Sequence, residues 1–245
     1  MKPVFVTPDW PLKDKVNVVT TTRFGGISLP PYHQFNLAAH VGDDIEHVNS
    51  NRQHLVRLLN LPAEPKWLQQ VHSRHVINAG LADTEQQADA SFTIDDDVVC
   101  VVMTADCLPV VFSDLHGRCI GVAHAGWKGM LDGVLQSTIK EMSNFSRPEV
   151  AWLGPAIGPD VFEVGADVYQ AYVDQDAQFK QAFEIKNTTK WNFNLYQAAS
   201  IILKASGVNH IYGGEYCTFT DKERFYSYRR DGITGRMATL VWKSQ

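Results

Sequence analysis

Apolar and polar positions alternate in short blocks along this chain, and the apolar blocks are densest across residues 98–129. Residues 98–103 are rich in β-branched side chains and too few for a helix, which predicts a buried strand. Residues 108–112 form a second such run. The turn-forming Ser113-Asp114-Leu115-His116-Gly117 separates it from a third at residues 119–123. Cys107 and His124, two side chains with catalytic or metal-binding potential, stand where these runs break off. Strand ends are where sites gather in mixed α/β proteins. Ala125-Gly126-Trp127-Lys128-Gly129 then leads into helical spacing at Met130, Val134, Ile139 and Met142. A helix starting at Gly129 would offer free backbone N–H groups to an anion.

The same reading places the other elements. Residues 1–8 read as an opening strand and residues 16–22, rich in Val and Thr, as another. The Gly- and Pro-rich stretch 23–32 is a long loop of the kind that often carries function. Ile45, Val48, Leu55, Leu58 and Leu59 give a helix its apolar face, with Asp43 and Glu46 at capping-box spacing and Pro62 beyond its end. His47 and His54 fall on its solvated side. Residues 66–72 and 74–79 read as strand segments around Ser73, and the first ends on His72. Residues 82–90 are polar and read as a surface loop. Residues 149–153 form a strand closed by Gly154-Pro155-Ala156-Ile157-Gly158-Pro159. A helix follows over 166–173, then an exposed helix or insertion over 174–190. Asn194 caps a helix that carries Leu195, Ala198, Ala199, Ile202 and Leu203 and stops at Gly207. Strands over 208–212 and 237–242 complete a single domain, residues 1–245, with no internal repeat.

Composition narrows the function. Apolar residues make up 44%, enough for a substantial core, and a net charge of −5 argues against a nucleic-acid binder. Arg224, Arg229, Arg230 and Arg236 suit either a small phosphorylated ligand or ordinary surface salt bridges. No apolar run approaches the roughly 18 residues that cross a bilayer, and no targeting segment opens the chain, so a cytoplasmic protein without a membrane partner is expected. Four cysteines are too few for a disulfide scaffold. Cys100 and Cys119 lie inside apolar runs as inert thiols, whereas Cys107 follows a break. Cys107 with His124 allows either a histidine-activated nucleophile or, with His72, a three-ligand metal site that keeps one position open, as catalytic zinc sites do. Nucleotide-binding glycine motifs, H-E-x-x-H and G-x-S-x-G are absent, and so is any His-x-His pair.

Several stretches together are similar to one family. They are Thr22-Arg23-Phe24-Gly25-Gly26, Asn36-Leu37 with His40-Val41-Gly42-Asp43, Gln70-Val71-His72, Thr104-Ala105-Asp106-Cys107-Leu108-Pro109, His124-Ala125-Gly126-Trp127, Ser227-Tyr228-Arg229-Arg230-Asp231 and Thr234-Gly235-Arg236-Met237. The chain resembles the laccase-like polyphenol oxidases, also named peptidoglycan-editing factors and purine nucleoside phosphorylases. The resemblance implies an α+β fold of layered αββα arrangement with mixed β-sheets, grouped with cysteine-hydrolase-like toxins. It implies zinc on His72, Cys107 and His124, phosphorolysis of adenosine, inosine, guanosine and methylthioadenosine, and deamination of adenosine. Zinc lowers the pKa of water toward about 7, which suits attack on C6 of adenine. Arg23, Lys128, Arg229, Arg230 and the helix start at Gly129 are the candidates to hold phosphate, and Asn36 and His40 the candidates for other substrate contacts. Lys128 stands where arginine is common in the family and lacks the bidentate fork. Asp106 either orients a neighbour of Cys107 or caps the turn. The alternatives implied are copper on the same three residues with oxidation of phenols, an amidase acting on a peptidoglycan precursor, and a structural metal clip.

Overall fold

The computed structural model describes residues 5–82 and 85–244. Of the expected opening strand, Phe5–Val6 is extended, and residues 1–4 lie outside the described residues. Two sheets organise the chain. One is antiparallel throughout, ordered Phe5–Val6, Val16–Thr21, Met237–Lys243, Cys100–Thr104. The other is mixed, ordered His210–Gly213, Val150–Leu153, Leu108–Ser113, Ile120–Ala125, Ala90–Thr93, Val76–Asn78, and its two outermost pairs are parallel. Mixed pairing was expected of both sheets and holds for the larger one only. In the four-stranded sheet the C-terminal strand inserts between two earlier ones and runs antiparallel to both.

Side-chain alternation explains how the sheets stack. Leu108, Val110 and Phe112 face a core shared with Val134, Ile139, Ala198 and Ile202, on helices Val134–Ser143 and Leu195–Ala205. Val111, Ile120, Val122 and Trp152, on the opposite face, pack against Val16, Val18, Cys100, Val102 and Val241 of the four-stranded sheet. The outer face of that sheet, with Val19, Val101, Met103 and Leu240, is covered by Phe35, Leu37 and Leu55 of helix Ile45–Leu59. Helix, sheet, sheet, helices is therefore the order of layers. Strands buried on both faces read as continuous apolar runs, which is why the central stretch was legible.

Local differences have identifiable causes. The helix expected through Met130–Met142 spacing is two helices, Trp127–Leu131 and Val134–Ser143, because Gly133 adopts φ +96° between them. Gly129 lies inside the first. Helix Ile45–Leu59 is capped by Asp44, whose carboxylate accepts from Glu46 N, while Asp43 accepts from the Asn36 amide instead. Asn194 caps its helix by accepting from Gln197 N. The polar tract 174–190 is mostly exposed, as expected, and contains a short helix, Ala177–Ala182. It buries Phe179 and Ala182 in the core and supplies strand Phe183–Ile185 to a small antiparallel sheet with Lys190–Phe193 and Glu163–Gly165.

Candidate active site

Three segments deliver the site to one end of the space between the two sheets. His124 is the penultimate residue of strand Ile120–Ala125 and shares the face of Ile120 and Val122, which points toward the four-stranded sheet. Cys107 directly precedes Leu108–Ser113, the neighbouring strand, in which Pro109 pairs with His124. His72 sits on the loop after Leu68–Gln69 in the left-handed region, φ 59°. That loop is tied to strand Cys100–Thr104 by the Gln70 amide, which donates to Met103 O at 2.8 Å and accepts from Met103 N at 2.7 Å, as a neighbouring strand would.

Asp89 organises what the sequence left apart. It is fully buried, directly before strand Ala90–Thr93, and residues 88–90 are core rather than the surface loop expected. Its carboxylate accepts from Val71 N, His72 N, Ser73 N and Ser73 Oγ, which holds the left-handed turn at His72 in place. It also pairs with His124 Nδ1 at 2.8 Å. A carboxylate only accepts, so Nδ1 carries a proton, and Nε2 is the nitrogen turned to Cys107 and available to a metal. Burial opposes charge on Asp89, but the bonds from His124 and Ser73 outweigh it and hold its pKa at about 2. Burial likewise opposes charge on His124, yet Cys107 and Asp89 push its pKa up to about 9. His72 is lowered by burial and by the neighbouring His124.

The donor atoms of His72, Cys107 and His124 lie within 4.8 Å of one another. They suit a metal ion: a soft sulfur with two imidazoles, and a histidine oriented by a buried carboxylate. Gly126 adds a second observation, since a Cβ there would come within 2.9 Å of both Cys107 Sγ and His72 Nδ1. The three residues open onto a cavity of about 560 Å³, within the range of small-molecule sites. Trp127, Phe162, Tyr228, His40, Arg229 and Arg236 are among its lining residues. The Trp127 carbonyl is anchored by the Tyr172 hydroxyl at 2.6 Å.

The candidate substrate contacts divide. His40 and Arg229 line the cavity. Arg23 does not; its guanidinium donates to His33 O and Lys222 O beside a separate surface depression. Arg230 does not either, being spent on Thr218 O, Phe219 O, Phe225 O and Asp231. Lys128 is exposed on a five-residue helix and does not line the cavity. Asn36 is buried, bonded to Ala38 and Asp43, and accepts from Arg236 N. Asp106, at φ 89°, accepts from Thr218 Oγ1, Ser227 Oγ and Arg229 N, so it fastens the C-terminal loops to the strand end before Cys107. The sequence does not single out Asp89, and Arg236 stands there only as one of four arginines suited to a phosphorylated ligand or to salt bridges. Asp89 sits in a polar stretch, and only its place between two alanines, Ala88-Asp89-Ala90, hinted at burial.

A two-sheet α+β fold with a His/Cys/His cluster at the mouth of an internal cavity defines a class of small-molecule proteins with a metal-competent site. The chain belongs to the family described as multi-copper polyphenol oxidoreductase laccase, which matches residues 17–244. It is 46% identical to purine nucleoside phosphorylase YfiH of Shigella flexneri over 97% of this chain and 98% of that protein. It is also 46% identical to a purine nucleoside phosphorylase of Haemophilus influenzae, with the same coverage. A crystal structure of a Neisseria meningitidis protein superposes with a TM-score of 0.94 at 44% identity, covering 99% of this chain and 100% of that one. YlmD of Geobacillus stearothermophilus superposes at 0.91 with 26% identity, covering 100% and 98%. Among the described residues no helix is long and apolar enough to cross a membrane.

Proposed function

We propose that this protein is a zinc-dependent purine nucleoside phosphorylase that also deaminates adenosine at the same site. The observation that carries the reading is the His72, Cys107 and His124 cluster opening directly onto a cavity large enough for a nucleoside. Relatives named purine nucleoside phosphorylase, aligned over almost the whole chain, support it. In this reading His72, Cys107 and His124 hold the metal, which when bound supplies Lewis acidity.

The chain's own residues do the rest. Asp89 keeps the His124 Nδ1 proton in place and fixes the loop that presents His72. Gly126 leaves the room the cluster needs. Trp127 and Phe162 give the cavity apolar walls against which a purine face can lie. In phosphorolysis a phosphate oxygen bonds to C1′ of the ribose as the C1′–N9 bond breaks, and the electron pair leaves with the base. The reaction then depends on holding two reactants in line within one cavity.

Incubating the metal-loaded protein with adenosine and phosphate tests the reading. The expected products are adenine and ribose 1-phosphate, with slow formation of inosine when phosphate is omitted. Cys107→Ala is expected to lose stoichiometric zinc and at least a thousand-fold of both activities, while its circular dichroism stays that of the parent. Oxidation of phenols with copper and oxygen, or release of an amino acid from a muramoyl precursor, with no turnover of any purine nucleoside, overturns it.

A further inference from the structure

The arginines in and beside the cavity differ in how much of their hydrogen-bonding capacity the protein itself uses. Arg230, two residues from the cavity-lining Tyr228, is saturated by carbonyls and by Asp231. Arg236 is the opposite case. Its Nη1 donates to Thr234 O at 2.9 Å and to Gly235 O at 3.1 Å, and its backbone N–H is held by the buried Asn36. Its Nε and Nη2 have no partner among the described residues, and no described carboxylate forms an ion pair with it. Asp106, an acidic neighbour, is engaged by Thr218, Ser227 and Arg229 N. The guanidinium is half-buried and lies over the Tyr228 ring. Keeping a cation this far from water with no carboxylate paired to it among the described residues is costly unless an anion arrives to meet it.

The free Nε–Nη2 edge is the side of a guanidinium that grips a tetrahedral or planar oxyanion through two parallel hydrogen bonds. Arg229 lines the same cavity. One of its nitrogens donates to Glu163 O and its guanidinium covers the Phe162 ring, leaving further N–H groups without a partner among the described residues. We infer that Arg236, assisted by Arg229, is the seat for a phosphate dianion in the cavity beside the His72, Cys107 and His124 cluster. This rests on the proposed phosphorolysis for its preferred source, free inorganic phosphate. A phosphate carried on an organic substrate has the same chemistry and would meet the same edge.

The test measures binding of inorganic phosphate, and separately of adenosine 5′-monophosphate, by calorimetry on the metal-loaded protein, with metal content and melting temperature recorded for each variant. Arg236→Gln is expected to weaken phosphate binding by about ten- to one-hundred-fold. Arg236→Lys, which keeps the charge and loses the fork, is expected to recover only part of that. Arg229→Gln is expected to give a smaller loss and covers the case in which Arg236→Gln fails to fold. Tight, Arg236-dependent binding of adenosine 5′-monophosphate with none of inorganic phosphate upholds the seat and sinks phosphorolysis. Phosphate-dependent cleavage of adenosine with unaltered phosphate affinity in the Arg236 and Arg229 variants sinks the seat and leaves phosphorolysis standing. Absence of binding of either compound to the parent protein also overturns the seat.

Discussion

Asp89 shows how much of this site depends on a residue that touches none of its cavity. One carboxylate accepts from three consecutive backbone N–H groups, a serine hydroxyl and a histidine, and so couples His72 to His124 across chain segments far apart in sequence. Asp89→Asn removes the charge and replaces an acceptor oxygen with a donor, which clashes with the N–H groups it faces. Metal affinity is expected to fall about ten- to one-hundred-fold, as for other residues that orient a metal-binding histidine. Competition with a chelator on the purified variant measures it; unchanged affinity would remove Asp89 from that role. At this scale His72, Cys107 and His124 stand out because their residue types are rare carriers of chemistry at breaks in apolar runs, whereas His40 enters only through the family resemblance. Arg229 and Arg230 are adjacent and chemically identical in sequence, and only their partners separate a cavity residue from a structural one.

Elements hold the site steady through their turns. The connection between strands Leu108–Ser113 and Ile120–Ala125, which bring in Cys107 and His124, is built around Asp114. Its buried carboxylate accepts from the N–H groups of Arg118 and Cys119, from Arg118 Nε and from Ser146 Oγ. Burial works against its charge, but Arg118, the Cys119 N–H and Ser146 outweigh it, so its pKa is lowered. A depressed carboxylate contributes stability that is fully present above its ordinary pKa of about 3.9 and is lost as pH falls through its folded value. Asp114→Ala is expected to cost about 2–3 kcal/mol near neutral pH. The difference from the parent should shrink as denaturant melts are taken to progressively more acid pH; a constant difference would place the loss in packing alone. Residues 113–117 were readable as a turn from composition. The break at Gly133 was not, since the apolar spacing continues across it and only the positive φ interrupts the helix.

The whole molecule is two sheets pressed face to face between helical layers, and the inter-sheet core is one of its buried clusters. Trp152 is among the largest fully buried side chains there, packed in the cluster that also contains Val111, Val122 and Cys100. Trp152→Ala is expected to cost about 3–5 kcal/mol through lost contacts and the cavity left behind. In a chain of this length that is a fall in melting temperature of about 10 °C. Calorimetry checks it; a shift of a degree or two would mean that the sheets close over the gap. The sequence by itself determined the central strands and the candidate chemistry, because continuous apolar runs and the breaks between them are local properties. It also determined that Cys107 and His124 lie close, since adjacent strands joined by a short turn must pair. Only the tertiary structure decided that His72 joins them, that a buried aspartate locks the pair of histidines, and which arginines line the cavity. Those facts depend on which segments meet when the two sheets close, and burial, partners and free hydrogen-bonding edges do not exist until they do.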